Sequence, residues 1–480
     1  MEKPVIFWFR QDLRLHDLPG LAAAIDTGRP LLVCYILDEG APGEWAPGGA
    51  SRWWLHHSLA SLAADIEGLG GRLLLRRGDT LDTLHDLVDE TDADTVYCSR
   101  QYEPWARRLE RSAQRALAQR AVAVKRYPGT LLWEPESIAT QSGTPFKVFT
   151  PFWRTCRRVP PPAAPRKWRK SPNWFGPPPQ GDALQDWHLL PTHPDWAAAW
   201  PRLWQPGAQP ARARLSAFLR GGIADYCQGR DFPARQATSG LSTHLHFGEL
   251  SPAQVWHSAQ QAAAGDPALA EPVEKFLSEL AWREFSYHLL WHFPDIPDAP
   301  FKTQFAQFPW QGTEQGLRAW QRGETGYPLV DAGMRELWQT GCMHNRVRMV
   351  VASFLTKHLL IHWRAGAKWF WDTLLDADLA NNSCSWQWVA GSGADASPYF
   401  RIFNPTAQSE KFDPQGSYVR RWVPELAKLP DQYLHRPWRA PADVLADAAV
   451  VLGETYPEPI VDHRAARESA LAAYAQVKSA

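Results

Sequence analysis

The chain of 480 residues is long enough for two or three domains, and its apolar fraction of 45 % supports large cores and excludes a disordered protein. Lysine plus arginine and aspartate plus glutamate are equal at 51 residues each, so the formal net charge is zero. Global charge therefore gives no sign of nucleic-acid binding, and any such site must be a local patch.

The six cysteines are scattered through the chain with no C-x-x-C pair. This pattern is typical of reduced thiols in a cytosol and excludes a disulfide scaffold and a zinc site, so we expect no metal. The apolar run at the start is too short for a signal peptide, and no stretch approaches the ~20 apolar residues of a membrane span. We therefore expect a soluble cytoplasmic protein with no membrane partner.

Short apolar runs alternate with helical patterns from residue 4 to about 135. The predicted strands cover residues 5–9, 31–37, 72–75, 95–98 and 122–126. The predicted helices cover residues 21–24, 51–69, 80–90 and 106–120. Strand–helix alternation predicts a parallel sheet, so residues 1–135 are expected to form a Rossmann-like α/β domain.

The glycines at 68, 70 and 71 look at first sight like a dinucleotide-binding fingerprint. They follow a predicted helix and precede a predicted strand, which is the wrong context for that motif. They therefore indicate the C-terminal cap of a helix.

Residues 136–205 are predicted to be a connector. Prolines cluster at 160–165 and 177–179, which is incompatible with regular helix. Seven arginines or lysines and no acid lie between Arg154 and Lys170. A solvated linker explains this run, and a strip that faces DNA phosphates is the alternative.

Helical periodicity dominates residues 206–480, which predicts an all-α domain. Ser251 to Gln254 form a capping box with proline at the first helical position. Apolar residues continue at helical spacing from Val350 to Leu359. The fold class expected for the whole chain is α/β plus all-α.

Segment 376–388 packs two acids, three amides and two tryptophans into about three to four helical turns. Trp386 and Trp388 would point to nearly opposite sides, so one indole can face the interior and the other a cavity. Asn382 shares a face with Trp386, and a buried amide needs a partner that a polar cofactor could supply. A core helix with a capped start is the alternative.

Two other helical patterns place polar groups beside apolar ones. Glu279, Trp282 and Arg283 share one face, where an ordinary ion pair beside a core tryptophan is the simplest explanation. Asn345 and Met349 share a face of another helix, where an asparagine among apolar residues is costly without a partner.

A third pattern is the polar turn 238–242, which reads Thr-Ser-Gly-Leu-Ser. Hydroxyls and backbone amides in such a turn can surround a pair of phosphates. The signal is weak by itself, since Thr-Ser-Gly turns are common.

With the charged segment Phe9-Arg10-Gln11-Asp12-Leu13-Arg14, these motifs resemble the photolyase/cryptochrome flavoproteins, most closely the bacterial class I cyclobutane pyrimidine dimer photolyases. The resemblance covers nearly the whole chain. It implies a monomeric carbon–carbon lyase with an N-terminal antenna-chromophore domain and a helical domain that binds FAD and damaged DNA. Repair would use one electron from light-excited reduced FAD, with the dimer flipped out of the duplex.

The resemblance also implies which residues contact FAD. They are Tyr226, Thr238, Ser239, Gly240, Leu241, Ser242, Arg283, Arg348, Asp376, Ala377, Asp378 and Asn382. Gly240 stands where many relatives carry arginine or lysine, so one ionic phosphate contact would be missing. Asn382 would face the N5 edge of the flavin, where plant-type cryptochromes carry an acid. Arg348 would pair with Asp376.

Further residues are implied for catalysis, electron transfer and DNA binding. The catalytic set is Glu279, Asn345, Met349 and Asn382. The electron chain from surface to flavin is Trp310, Trp363 and Trp386. The DNA-binding set is Arg230, Glu279, Trp282, Asn345, Arg346, Trp388, Arg401 and Gln408.

A second, light-harvesting chromophore is often held by the N-terminal domain of this family. Folate-binding members carry an Asn-Glu pair where this chain has Trp105 and Ala106, and a Cys-Lys pair where it has Pro297 and Asp298. Both departures favour a deazaflavin or flavin antenna, or none, over reduced folate.

Three other functions are weighed against repair of cyclobutane dimers. Cryptochrome photoreceptors share the fold but usually add a long C-terminal extension, and this sequence stops soon after Val477. The (6-4) photolyases rely on a histidine pair where this chain has Asn345 and Met349. A nucleotide-binding oxidoreductase or a non-catalytic DNA-binding protein is disfavoured, because a proper G-x-G-x-x-G and a basic face are lacking.

Overall fold

The computed structural model describes residues 2–166, 168–396 and 400–479. Contacts divide the chain into two compact units. The first comprises Met1–Ala224, Ser239–Pro294 and Leu375–Ala380, and the second comprises Asp225–Thr238, Asp295–Leu374 and Asn381–Ala480. The domain boundaries expected at 135 and 205 stay a prediction.

The first unit is built on a sheet of five parallel strands in the order β3-β2-β1-β4-β5. The strands are β1 (Val5–Phe9), β2 (Leu31–Leu37), β3 (Leu73–Arg77), β4 (Thr95–Ser99) and β5 (Ala123–Tyr127). In the register of the sheet, Val5 lies opposite both Leu31 and Thr95. The α/β prediction is confirmed, and every strand lies within two residues of its predicted bounds.

Alternate residues of β1 supply the cores on the two faces of the sheet. Val5, Phe7 and Phe9 belong to one apolar cluster, and Ile6 and Trp8 belong to the other. A strand covered on both faces reads as a continuous apolar run, which is why the sequence revealed it. Helices pack on both faces, namely α1 (Pro19–Asp26), α2 (Gly49–Glu67), α3 (Thr80–Thr91) and α4 (Pro104–Ala118).

The glycines after α2 cap that helix, as predicted. Gly68 is its C-cap residue, and Gly70 has a φ of +79°, which favours glycine. The Gly71 amide closes the turn by donating to the Ile66 carbonyl at 3.0 Å.

The predicted connector contains the helix α5 (Phe149–Cys156) and the short 3-10 helices Leu184–Trp187 and Trp200–Arg202. Its two proline clusters lie outside helices, as expected. Arg157 forms an ion pair with Glu274 at 3.2 Å, and Lys170 donates to the Asp26 carbonyl at 2.9 Å. Lys167, another residue of the basic run, lies outside the described residues. The phosphate-facing alternative stays a prediction.

Helices make up the rest of the chain, and the described residues from 206 onward contain no β-strand. They are α6 (Ala208–Ala217), α7 (Tyr226–Gly229), α8 (Ser242–His246), α9 (Pro252–Gly265), α10 (Ala270–His292), α11 (Glu314–Arg322), α12 (Pro328–Thr340), α13 (Asn345–Ser353), α14 (Trp363–Thr373), α15 (Leu379–Ala390), α16 (Pro405–Phe412), α17 (Ser417–Trp422), α18 (Asp431–Leu434), α19 (Ala442–Asp447) and α20 (His463–Ser479). The all-α prediction is confirmed. In the described part of the chain, no helix is long and apolar enough to cross a membrane.

Local signals located several helix ends correctly. The Ser251 hydroxyl accepts from the Gln254 amide at 2.9 Å while the Gln254 side chain accepts from the Ser251 amide, which is the predicted capping box of α9. The apolar run after Val350 continues beyond α13 as a π-helical turn, Phe354–His358. The helix expected from residue 376 begins only at Leu379, so Asp376 and Asp378 lie in an irregular segment before it.

Candidate functional site

A buried polar network lies on the inner side of α10 in the first unit. Arg283 pairs with Glu284, with 2.8 Å between Nη1 and Oε1. The other oxygen of Glu284 accepts from the Leu132 amide at 2.6 Å. One turn along the helix, the Tyr287 hydroxyl donates to the carboxylate of Asp378. The network thus connects α10 with two segments that are distant in sequence.

The two carboxyl groups of this network have opposite pKa shifts. Burial alone would raise the pKa of Asp378, but its neighbours His246, with Nδ1 3.7 Å from the carboxylate, Arg283 and Tyr287 lower it to about 2. Burial raises the pKa of Glu284 to about 7, because it outweighs Arg283 and two backbone amides. Asp378 therefore stays ionised at neutral pH, while Glu284 titrates there.

The ion pair between Glu279 and Arg283 that the sequence suggested is wrong. Glu279 instead pairs with Lys275 at 2.8 Å, one turn earlier on α10, and its side chain is 25 % exposed. Arg283 turns toward Glu284, its neighbour in sequence. Spacing on a helix permitted the first pair, but the buried carboxylate of Glu284 competes better for a buried guanidinium.

Trp282 lies half-buried on α10 against Phe149 of α5. The two rings are stacked with centroids 3.8 Å apart and an interplanar angle of 9°. One face of the indole is therefore covered by Phe149, and its orientation is fixed. Because the stacking on Phe149 already fixes the indole of Trp282, this side chain would lose little conformational freedom if its other face bound a ligand.

The turn that the sequence singled out as a phosphate loop is polar and open. Thr238 and Ser242 are exposed, whereas Ser239 is half-buried and Leu241 is buried. Among the described residues, the hydroxyls of the threonine and the two serines have no hydrogen-bond partner. Gly240 has a φ of +62°, and the Nη1 atom of Arg214 lies 2.8 Å from the position that its Cβ would take. Arg214 was missed by sequence reasoning, since no local pattern links it to residue 240.

Residues near α7 in the second unit combine aromatic rings with cations. Tyr226 is buried, and the guanidinium of Arg230 lies 5.3 Å from its ring centroid. Arg346 pairs with Asp231 at 2.8 Å and lies 4.5 Å from the ring of Phe412. Arg346 is therefore engaged by an acid and by an aromatic ring of the protein itself.

Helix α13 presents the residues expected beside a pyrimidine dimer. Asn345 and Met349 are one turn apart, with Asn345 exposed and Met349 half-buried. The argument that Asn345 is buried among apolar residues is wrong, because it is the first residue of the helix, where His344 is the cap. Arg348 donates through Nε to the Met343 carbonyl at 2.7 Å. Its pairing with Asp376 stays a prediction.

The two tryptophans of α15 lie in different environments, as predicted. Trp386 is 2 % exposed, and its ring lies 5.0 Å from that of Phe370 on α14. Trp388 is half-buried, and its indole N–H donates to the Asp395 carbonyl at 3.1 Å. The half-buried Asn382 donates to the Ala367 carbonyl at 2.9 Å, which leaves its side-chain oxygen for another partner.

Part of the expected electron chain is continuous in the second unit. Trp363 is 1 % exposed and stacks on His362 at 5.6 Å, and His362 lies 5.0 Å from the half-buried Trp310. A Cβ at Gly366, three residues after Trp363, would come within 2.1 Å of the Trp386 ring. This glycine therefore permits the close approach of α14 to the indole of Trp386.

Known proteins resemble this chain over its whole length. Residues 5–167 match the family described as DNA photolyase, and residues 276–476 match the FAD binding domain of DNA photolyase. The chain is 52 % identical over 476 residues to the deoxyribodipyrimidine photo-lyase of Agrobacterium fabrum, with 99 % of this chain and 98 % of the relative covered. The chain belongs to the photolyase/cryptochrome family.

Other members of this family show how broad the relationship is. Cryptochrome-1 of Arabidopsis thaliana is 38 % identical, and the match covers 95 % of this chain and 68 % of that protein. The crystal structure of a bacterial class III photolyase from Agrobacterium tumefaciens has a TM-score of 0.96 and 51 % identity, covering 100 % of this chain and 98 % of that one. The family and the FAD-binding domain are thus confirmed, whereas the class I assignment stays a prediction.

Proposed function

We propose that this photolyase-like protein repairs cyclobutane pyrimidine dimers in DNA under light, as a deoxyribodipyrimidine photo-lyase of the cytoplasm. The observation that carries the proposal is the pair of tryptophans on α15. One indole is buried among aromatic rings, and the other is held at a partly open surface by its hydrogen bond to the Asp395 carbonyl. Such an arrangement suits an electron relay on one side and a flat wall for an unstacked base on the other.

The residues fit FAD. The open hydroxyls of Thr238, Ser239 and Ser242 are suited to a pyrophosphate, since all three can donate to phosphate oxygens. The ionised Asp378 is suited to accept from hydroxyl or N–H groups of the nucleotide. When bound and excited by light, FAD supplies the electron that splits the dimer.

The protein's own part in repair is to bind and orient the lesion. Trp282 and Trp388 offer faces for the flipped bases, and Glu279, Asn345 and Met349 offer contacts to their edges. The DNA phosphates would be contacted by Arg230, Arg346 and Arg401. Gln408 of α16, which follows Arg401 in the sequence, would also contact DNA. The side chain of Arg401 is exposed and can therefore reach a DNA phosphate. Arg346 is already paired with Asp231, so a phosphate would have to compete with that carboxylate for its guanidinium.

The electron supply to the flavin is assigned to Trp386, Trp363 and Trp310. Trp386 and Trp363 are buried at 2 % and 1 % exposure and Trp310 is half-buried, which suits a path that ends near the surface. The ring of His362 contacts both indoles, with its centroid 5.6 Å from that of Trp363 and 5.0 Å from that of Trp310.

A cryptochrome-type photoreceptor is the second candidate, favoured by the 38 % identity to a plant cryptochrome. The residue at 382 separates the two, because asparagine there suits the photolyase. An antenna is compatible with either function, and its identity stays a prediction.

The test is repair of defined lesions by the purified protein after chemical reduction of its flavin. One oligonucleotide carries a single cyclobutane dimer and a matched one carries a single (6-4) photoproduct. We expect the first to be restored to intact thymines in light and not in the dark, and the second to stay unchanged. Light-induced flavin changes without any restoration of the dimer would favour the photoreceptor.

A further inference from the structure

An arginine from α6 occupies the space beside the one glycine in the turn 238–242. The Nη1 atom of Arg214 lies 2.8 Å from the position that a Cβ at residue 240 would take, and its Cζ and Cδ atoms lie at 3.7 Å. A contact of 2.8 Å is shorter than real Cβ contacts, so a side chain at 240 would require the guanidinium at the end of the Arg214 side chain to move away. Both groups belong to the first unit.

The guanidinium is held at this point by its packing. It lies 5.4 Å from the ring centroid of Trp204, and Arg214 is half-buried in the last turn of α6. An arginine that packs on an aromatic ring still presents N–H donors at its edge. One of those donor atoms, Nη1, lies beside Gly240 in the turn.

The backbone at Gly240 adds a second reason for this arrangement. Its φ of +62° lies in the left-handed region, where a residue with a Cβ is strained. A basic side chain at 240 itself would therefore have to overcome both the strain and the contact with Arg214. The turn 238–242 contains no basic residue. A residue that is distant in the chain can supply a positive charge there without the backbone strain that a side chain at 240 would cause.

We propose that Arg214 supplies the positive charge of the turn 238–242 and binds the pyrophosphate of FAD there. The proposal rests on the proposed function of that turn as the pyrophosphate loop. A guanidinium is charged at every physiological pH, and its planar fork matches two oxygens of a phosphate group. Arg214 would then take over the ionic contact that Gly240 cannot make.

The alternative is that Arg214 has a structural role, such as its packing on Trp204, and does not contact phosphate. The two explanations predict different effects of an Arg214 substitution on the binding of ligands with and without phosphate. We would measure FAD dissociation constants for the wild-type protein and for Arg214→Gln at several salt concentrations, with riboflavin as the phosphate-free probe. Arg212→Gln is the matched control, because Arg212 lies on the same helix, is equally half-buried and is two positions from Arg214, on another side.

Loss of a charge-assisted contact should weaken FAD binding by about tenfold or more and flatten its salt dependence. Riboflavin binding and the Arg212→Gln variant should be unchanged. Arg214→Lys should lie between wild type and Arg214→Gln, since it keeps the charge and loses the fork. If Arg214→Gln binds FAD as wild type does, or weakens riboflavin equally, the proposal is overturned.

Two further variants keep the result decisive. If Arg214→Gln does not fold, Gly240→Ala tests the same contact, because its methyl group displaces the guanidinium; unchanged FAD affinity would overturn the proposal. The double variant Ser239→Ala/Ser242→Ala tests the turn itself. If it leaves FAD affinity unchanged, the pyrophosphate loop is wrongly assigned. If it weakens FAD while Arg214→Gln does not, only the role of Arg214 is rejected.

Discussion

Replacing Glu284 by glutamine should change how the stability of the protein depends on pH. Glu284 is 3 % exposed and is held by Arg283 and by the Leu132 amide. Burial raises its pKa from 4.5 to about 7, against the lowering effect of Arg283 and the amides of residues 132 and 133. Glutamine keeps the size and an acceptor oxygen but cannot ionise.

The sign follows from proton binding. The folded protein binds the Glu284 proton more tightly than the unfolded chain does, so this stabilisation is fully present below pH 4.5 and is lost as pH rises through about 7. The difference between these two pKa values corresponds to roughly 3 kcal/mol of the free energy of unfolding. Over the same range, the glutamine variant should become more stable relative to wild type by an amount of that order.

Other titratable groups near Glu284 do not cancel this effect. Burial raises the pKa of Cys156 and that of Tyr102 well above their usual values, so both stay neutral. His288, one turn along α10, has its pKa lowered to about 4 by burial, so its own contribution to stability rises with pH over part of the same range. This contribution is common to wild type and variant and cancels in the difference between them. Arg283 stays charged throughout.

The assay is urea unfolding of wild type and Glu284→Gln at a series of pH values from below 4.5 to above 7. Glu271→Gln is the control, because Glu271 is exposed on the same helix. The stability difference between Glu284→Gln and wild type should grow in favour of the variant as pH rises, while the control stays flat. A difference that is independent of pH, or that changes in the opposite direction, would refute the reasoning.

Four other predictions test the site. Trp386→Phe should block photoreduction of oxidised FAD but spare repair after chemical reduction; equal loss in both assays would argue against the relay. Arg401→Ala should weaken binding to damaged and undamaged DNA alike and flatten its salt dependence, whereas Trp388→Ala should reduce the preference for the lesion, both measured by titration. Glu279→Ala should lower the repair yield per absorbed photon at normal FAD content, because its exposed pair with Lys275 contributes little stability; an unchanged yield with a lower melting temperature would falsify that role. Gly366→Ala should lower the free energy of unfolding by roughly 1–3 kcal/mol in urea unfolding, since the added methyl group meets the Trp386 ring at 2.1 Å.

Local periodicity was enough to predict the architecture. Strands β1, β2 and β4 were found because they are buried and therefore read as short apolar runs, and the first three residues of β3 are buried in the same way. The edge strand β5 is exposed or half-buried along its length, so only the strand–helix alternation before it pointed to it. The capping box of α9 and the glycines after α2 were found because helix ends need particular residues within four positions. The opposite environments of Trp386 and Trp388 follow from helical geometry alone.

The errors at the site arose where several partners were possible. Spacing allowed Arg283 to pair with Glu279, but burial decided in favour of Glu284. Asn345 looked like a costly polar residue in an apolar helix, yet it is the exposed first residue of α13. A helical pattern shows which residues share a face but not which face is buried.

By itself, the sequence determined the fold class, several helix ends and the family motifs, because each of these depends on residues that are close together in the chain. Only the tertiary structure decided which distant groups meet. Tyr287 and Asp378 are 91 positions apart, and Arg214 approaches Gly240 from a different helix. The shifted pKa values of Glu284 and Asp378 depend on burial and on such distant partners, so no local pattern contains them.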